Sequence, residues 1–336
     1  MCARSPAVTS TWSRTRPRSS AASPSGWLPR DPPSHGADLR RRGSGVSRTA
    51  TGRTPASGGA VRPRHYLMCR PTHFTVNYSI NTWMDPVVPT STETGLAQWK
   101  RLHDVLAELG HDIELIPPDP GLPDMVFAAN GAVVVDGKVL VARFRHPQRS
   151  GESEAYAQWF RARGWTEVRQ ATRINEGEGD FLLAGELLLA GSGFRSEPAA
   201  GAEAGEFLGR PVLGLTLVDP RFYHLDTALA VLDDEQIMYY PGAFSRQSRM
   251  ALAERFPDAI LATEQDAAVF GLNAVSDGRH VVLARAARRL PGQLRERGFE
   301  PIGVDLSELL KAGGGVKCCT LELRPAEPPP TQRAGG

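Results

Sequence analysis

Asn130-GAVVVDGKVLVA reads as two short apolar strands folded about Asp136-Gly137, a dipeptide suited to the positive-φ positions of a two-residue hairpin turn. The same strand–turn–strand unit returns as Asp180-FLLAGELLLAG, Asp226-TALAVLDDEQIMYY and Asn273-AVSDGRHVVLA. Their turns are marked by Gly185-Glu186, Asp233-Asp234 and Asp277-Gly278, the last a two-residue signal like the first. Cys319-TLEL supplies one more first strand before the chain runs into prolines. The steps from Asn130 to Asp180, Asp226, Asn273 and Cys319 are 50, 46, 47 and 46 residues. Between the hairpins lie five helix-then-strand units, with strands starting near Gly110-HDIEL, Gly164-WTEVR, Gly209-RPVLGL, Phe256-PDAILA and Gly298-FEPIGV. Helices are expected over Thr92–Gly110, Glu152–Gly164, Glu203–Gly209, Ser245–Phe256 and Pro291–Gly298. A repeat of this size cannot bury its apolar face alone, so it stacks into a solenoid or a ring. The lone strand at Cys319 needs a partner that residues 65–78 can provide, which closes a ring. The expected fold is α/β: a five-bladed propeller of pseudo-repeated ββαβ units around a central channel.

The formal net charge of +2 over 336 residues averages two unlike parts. Residues 1–64 hold 12 Arg, no Lys and only Asp31 and Asp38 as acids, among abundant Ser, Pro and Gly. Such a segment does not bury enough surface to offset its conformational entropy, so disorder is expected there and in the Pro-rich residues 325–336. The folded domain is then 65–324. Removing the leader from 39 basic and 37 acidic residues leaves 27 against 35, a net of −8. That balance offers no basic face for nucleic acid. The leader lacks the apolar stretch of a secretory signal, and no run approaches a membrane span of about 20 residues. Its Arg- and Ser-rich composition fits an organellar transit peptide or an over-extended start ahead of Met68. Cys2, Cys69, Cys318 and Cys319 form neither a disulfide framework nor a metal-binding spacing, and a reducing, cytoplasmic setting fits them best.

A ring brings equivalent points of its repeats to one axis, and those points are chemically loaded. Glu176, Glu178 and Asp180 crowd the entry to the second hairpin, and Asp124 and Asn130 flank the first. His224 and Asp226, two residues apart, would share one face of a strand. Cys318 and Cys319 follow Gly313-Gly314-Gly315, which lets backbone approach a ligand closely. On a strand only one of the two would face the axis. Singly, each residue has an ordinary explanation: a buried small thiol, a structural histidine, a polar turn, a capping aspartate, and for Arg143, Arg145 and Arg149 a solvated loop. Together, a thiol, an imidazole and several carboxylates from distant repeats make a nucleophilic site for a cationic substrate.

In order along the chain, Pro123-Asp-Met-Val-Phe-Ala-Ala-Asn130, Glu176-Gly-Glu-Gly-Asp180, His224-Leu-Asp226-Thr and Gly315-Val-Lys-Cys318-Cys319-Thr resemble the motifs of the amidinotransferase, or pentein, superfamily, and within it dimethylargininases. The resemblance covers about residues 65–324 and implies a pentein fold and hydrolysis of N-methylated arginine to citrulline. It implies Cys318 as nucleophile, His224 as acid/base and Glu176 as its acidic partner. Asp124, Asn130 and Asp226 would line the guanidinium pocket with Glu178 and Asp180, and Arg143 and Arg195 would hold the substrate carboxylate. No cofactor or metal is expected, and the expected partner is a small guanidino compound; a homo-oligomer is compatible. Asn130 stands where such relatives usually carry Asp, and the extra Glu leaves Glu176 and Glu178 as alternative acids. Arginine deiminase or dihydrolase activity, amidino transfer to an amine, and a non-enzymatic binding propeller are the alternatives.

Overall fold

The computed structural model describes residues 59–326. The leader and tail expected to be disordered therefore lie, except for 59–64 and 325–326, outside the described residues.

Among the described residues, fifteen strands form five three-stranded sheets of one plan, an antiparallel pair whose middle strand also pairs in parallel with a third. β1 (His65–Cys69) pairs in parallel with β2 (Asp112–Ile116). β3 (Ala132–Val135), β4 (Lys138–Val141) and β5 (Glu167–Gln170) make the next sheet, with Val134 opposite Val139. β6 (Phe181–Ala184), β7 (Leu187–Ser192) and β8 (Val212–Thr216) repeat it. So do β9 (Leu229–Val231), β10 (Ile237–Tyr239) and β11 (Ile260–Leu261), then β12 (Val275–Ser276), β13 (His280–Ala284) and β14 (Glu300–Val304). β15 (Leu321–Glu322) returns to the start and pairs antiparallel with β1, Leu67 opposite Leu321. The partner expected for the lone last strand is thus the first strand.

Helices are of two kinds. α1 (Thr92–Glu108), α2 (Ser150–Ala162) and α3 (Pro198–Leu208) each join the middle strand of a sheet to its third. α4 (Leu225–Ala228) is instead a single turn leading into a hairpin. The alternation continues with α5 (Arg246–Arg255), the one-turn α6 (Glu264–Ala267), α7 (Leu290–Glu296) and the one-turn α8 (Ser307–Leu310). In α1, Trp99, Leu102, Val105 and Leu106 are buried at helical spacing, and Ser91 caps the first turn by accepting from Thr94 N. α3 starts five residues before the expected Glu203. Pro198 opens it, and Ala200, Ala204 and Leu208 carry its buried face. Gly201 and Gly205 weaken the local helical signal there but allow close packing, since a Cβ on Gly201 would lie 2.8 Å from Ala190 Cβ.

The first hairpin turns through Asp136 (φ 50°) and Gly137 (φ 81°), as its dipeptide predicts. Asp277-Gly278 behaves differently. Three residues separate β12 from β13, and Asp277 Oδ1 accepts from the N–H groups of Arg279 and His280. All four residues of β3 are buried, so both faces of this strand are covered.

The points marked by the repeat lie in short turns just ahead of each hairpin. Asn130 is in the 3₁₀ turn Ala128–Gly131, and Asp180 follows the turn Gly177–Gly179. His224 is the N-cap of α4 and Asp226 lies inside it. Cys318 and Cys319 belong to the turn 316–319 before β15. The expected strand placement of His224, Asp226 and the two cysteines is therefore corrected: helical turns separate these neighbours, not strand alternation.

Candidate active site

Each turn delivers one or two buried polar side chains. Gly177 (φ 53°) makes the second turn possible, since a Cβ there would sit 2.5 Å from the Ala132 carbonyl oxygen. The residues on either side of Gly177 enter different networks. Glu176 Oε2 lies 2.8 Å from His224 Nε2 and accepts from Arg195 Nη1 at 2.6 Å. Glu178 accepts from Lys317 Nζ at 2.7 Å, from Arg324 and from the Glu322 N–H. Of the two candidate acids, Glu176 alone touches the imidazole.

Cys318 meets the other end of the α4 turn. Its Sγ donates to Asp226 Oδ2 at 3.2 Å and accepts from Asn273 Nδ2 at 3.1 Å, while its N–H donates to Asn273 Oδ1 at 3.1 Å. Asp124 Oδ2 accepts from Tyr78 Oη at 2.8 Å. Asn130 is held by Arg149, whose Nη1 donates to Oδ1 at 2.7 Å, and Nδ2 reaches the Glu176 carbonyl at 3.4 Å. Four buried acceptors of this group have no hydrogen-bond partner among the described residues: Asp124 Oδ1, Glu176 Oε1, His224 Nδ1 and Asp226 Oδ1.

Burial and charge set the protonation states. Burial, then the neighbouring Asp226, push the Cys318 thiol well above its ordinary value. Burial raises the Asp226 carboxyl to about 7 against the pull of Lys317. Glu176 goes the other way: burial disfavours its charge, but Arg195, His224 and Arg149 outweigh it and hold the carboxyl far below the usual range. Burial also raises Asp124, despite Arg149 and Tyr78. The resting site thus combines a neutral thiol, a carboxyl near its midpoint at neutral pH and one firmly ionised glutamate beside the histidine.

Three of the expected substrate-binding residues have other partners among the described residues. Arg143 is exposed and donates to the Thr172 carbonyl at 2.7 Å, and its backbone pairs with Asn175, next to Glu176. Asp180 is used by the fold: Oδ2 accepts from Ser196 Oγ at 2.7 Å and Oδ1 from Leu225 N at 3.1 Å, anchoring the turn behind His224. Glu178 is neutralised by Lys317 and Arg324, as above. Two residues were missed. Arg149, grouped with the solvated loop, is 3% exposed, and it grips both oxygens of Glu152 at 2.8 Å. The spacing Arg149-x-x-Glu152 at the start of a helix was the available signal. Asn273 stood at a marked repeat position, but its neutral side chain drew no chemical reading. Arg195 is at the site, stacked 4.7 Å over the Tyr223 ring with Nη2 on the Ile80 carbonyl.

A thiol, an imidazole–carboxylate pair and unpaired carboxylate oxygens, set at the ends of small α/β sheets, belong to a hydrolase of C–N bonds in linear amidines. The chain matches the family described as "N,N dimethylarginine dimethylhydrolase, eukaryotic" over residues 70–325, and it belongs to that dimethylarginine dimethylaminohydrolase family. It is 55% identical over 264 residues to the N(G),N(G)-dimethylarginine dimethylaminohydrolase of Mycobacterium tuberculosis, across 79% of this chain and 87% of that protein. It is 39% identical to the bifunctional arginine dihydrolase/ornithine cyclodeaminase ArgZ of Synechocystis, across 76% of this chain but only 37% of ArgZ. The crystal structure of the ArgZ N-terminal domain, a cysteine-to-serine mutant bound to substrate, superposes with a TM-score of 0.76 at 38% identity, covering 79% of this chain and all of that one. Among the described residues no helix is long and apolar enough to cross a membrane.

Proposed function

We propose that the five sheets are the blades of a propeller, that residues 65–324 form its catalytic domain, and that the buried group at its centre hydrolyses Nω,Nω-dimethylarginine to citrulline and dimethylamine. The observation that carries this reading is the set of four unpaired buried acceptors beside a thiol. A guanidinium is planar, cationic and rich in N–H donors, so it matches acceptors that a neutral ligand would leave unsatisfied.

Cys318 Sγ attacks the guanidinium carbon as thiolate, its thiol proton having passed to His224. The bound cation stabilises that thiolate and offsets the burial that keeps the thiol protonated in the resting protein. The C–N bond to dimethylamine breaks as His224 delivers a proton to the leaving nitrogen, which leaves an amidino-thioether on Cys318. His224 then takes a proton from water, whose oxygen adds to the same carbon, and the C–S bond breaks to release citrulline. Glu176, bonded to Nε2, fixes the ring and stabilises the imidazolium, leaving Nδ1 for proton exchange. Asp124 and Asp226 face the cation, and Asn130 is held in place for it by Arg149. Arg195 retains donors beyond its two bonds and is the arginine proposed to hold the α-carboxylate.

The likeness to ArgZ, an arginine dihydrolase, favours free arginine as a second reading. Incubation of the purified protein with dimethylarginine and arginine, with products identified by mass spectrometry, separates them. Citrulline with dimethylamine supports the first reading, and ammonia from arginine with dimethylarginine untouched supports the second. No turnover of any guanidino compound would defeat both.

A further inference from the structure

We propose that Asn273 is a catalytic residue that holds the thiolate of Cys318, an assignment resting on the reading of Cys318 as nucleophile. Among the described residues, two side chains bond to Sγ: Asp226, which accepts, and Asn273, which donates. The two act on opposite forms of the sulfur. Asp226 accepts the S–H of the thiol and, when ionised, repels the anion. Asn273 Nδ2 offers an N–H that gains strength when the sulfur becomes negative.

The carboxamide is fixed on all sides. Oδ1 accepts from Cys318 N at 3.1 Å, and Nδ2 donates both to Sγ at 3.1 Å and to the Asp226 carbonyl at 3.1 Å. It thereby ties the α4 turn to the nucleophile's turn. Asn273 is fully buried. Gly315 is the matching concession in the backbone, since a Cβ there would lie 2.8 Å from Oδ1. The acceptor bond to Cys318 N sets the amide's orientation and leaves Nδ2, not Oδ1, towards the sulfur. Aspartate, the same shape, would keep the bond to Cys318 N but bring no donor and a second negative charge beside Sγ.

The test is the pH dependence of Cys318 alkylation by iodoacetamide in substrate-free protein, from about pH 6 to about pH 10, with the adduct mapped by peptide mass. In that reaction Sγ–C forms, iodide leaves and the thiol proton passes to solvent. N273D should alkylate at least about tenfold more slowly than wild type at each pH across that range, the equivalent of a midpoint about one unit or more higher. N273S, which removes the donor without adding charge, should shift the same way by less. Melting curves establish that each variant is folded, and N273S decides if N273D does not fold. For turnover, kcat should fall with KM little changed. Wild-type alkylation profiles in the folded variants would overturn the assignment, since a residue that only braces the turn has no effect on thiolate formation. Because alkylation needs no substrate, shifted profiles without guanidine turnover would defeat the proposed function alone.

Discussion

Cys318 and Cys319 are chain neighbours with unlike surroundings. Both belong to one buried apolar cluster with Val126, Val282 and Leu309, and within it Cys318 Sγ has a donor and an acceptor. C318S should abolish turnover, because a hydroxyl is barely ionised at neutral pH. C319S should retain most of the activity. Peptide mapping of a haloacetamidine adduct checks the assignment, and label on Cys319 would reverse it. The arginines divide as sharply. R143A should leave KM within about twofold of wild type, since an exposed side chain on a carbonyl contributes little. R149A strands the buried Glu152, whose carboxyl burial already raises to about 7 against Arg149's pull, and should cost on the order of 3–5 kcal/mol in denaturant unfolding.

Asp226 adds a pH-dependent outcome. Its folded value of about 7 lies above the ordinary 3.8, so its contribution to stability is present at low pH and lost as pH rises through about 7. Glu176 is shifted the other way. Its contribution is present above the ordinary carboxylate range and lost only in stronger acid. A guanidinium binding beside Asp226 favours its ionised form. Arginine binding to C318S at about pH 6 should therefore release close to one proton, less at about pH 8, read from binding heats in buffers of different ionisation enthalpy. Unchanged release in the added D226N variant would place the titrating group elsewhere.

At the scale of elements, hairpins and connecting helices were legible because period-2 and period-3.6 patterns alternate at a fixed interval. The turns that carry the site were not. His224-Leu-Asp226 reads equally as strand or helical turn, and bonds from distant repeats fix the turn: Leu225 N donates to Asp180 Oδ1 and Asn273 Nδ2 to the Asp226 carbonyl. Arg149 was hidden for a similar reason: its burial depends on Glu152, Asn130 and Asp124 meeting it in space. β1 begins at His65, with Tyr66 and Leu67 buried and paired to β15, so a chain begun at Met68 lacks both of those pairs. A form starting at residue 59 should melt several degrees above one starting at Met68. Equal melting temperatures would show that the first three residues of β1 are dispensable.

Across the whole molecule, residues at the repeat points also hold successive repeats together. Asn130 reaches the Glu176 carbonyl, Asp180 the Leu225 N–H, Asn273 the Asp226 carbonyl and the Cys318 N–H, and the Cys318 carbonyl accepts from Ala129 N. These bonds between adjacent repeats join the same turns that bear the chemistry. Loosening one should therefore be felt in both stability and rate, whereas Leu102→Ala, deep in the α1 face, should cost about 2–5 kcal/mol with KM unchanged in the folded fraction.

The pairing of β15 with β1 has a consequence for synthesis. The turn of the proposed nucleophile lies immediately before the strand that completes the first sheet, so both leave the ribosome at almost the same moment. On the proposed assignment, a nascent chain that has already assembled its histidine, glutamate and arginines still lacks Cys318. Premature release is then expected to yield an inactive product, with activity appearing only together with the pairing of β1 and β15.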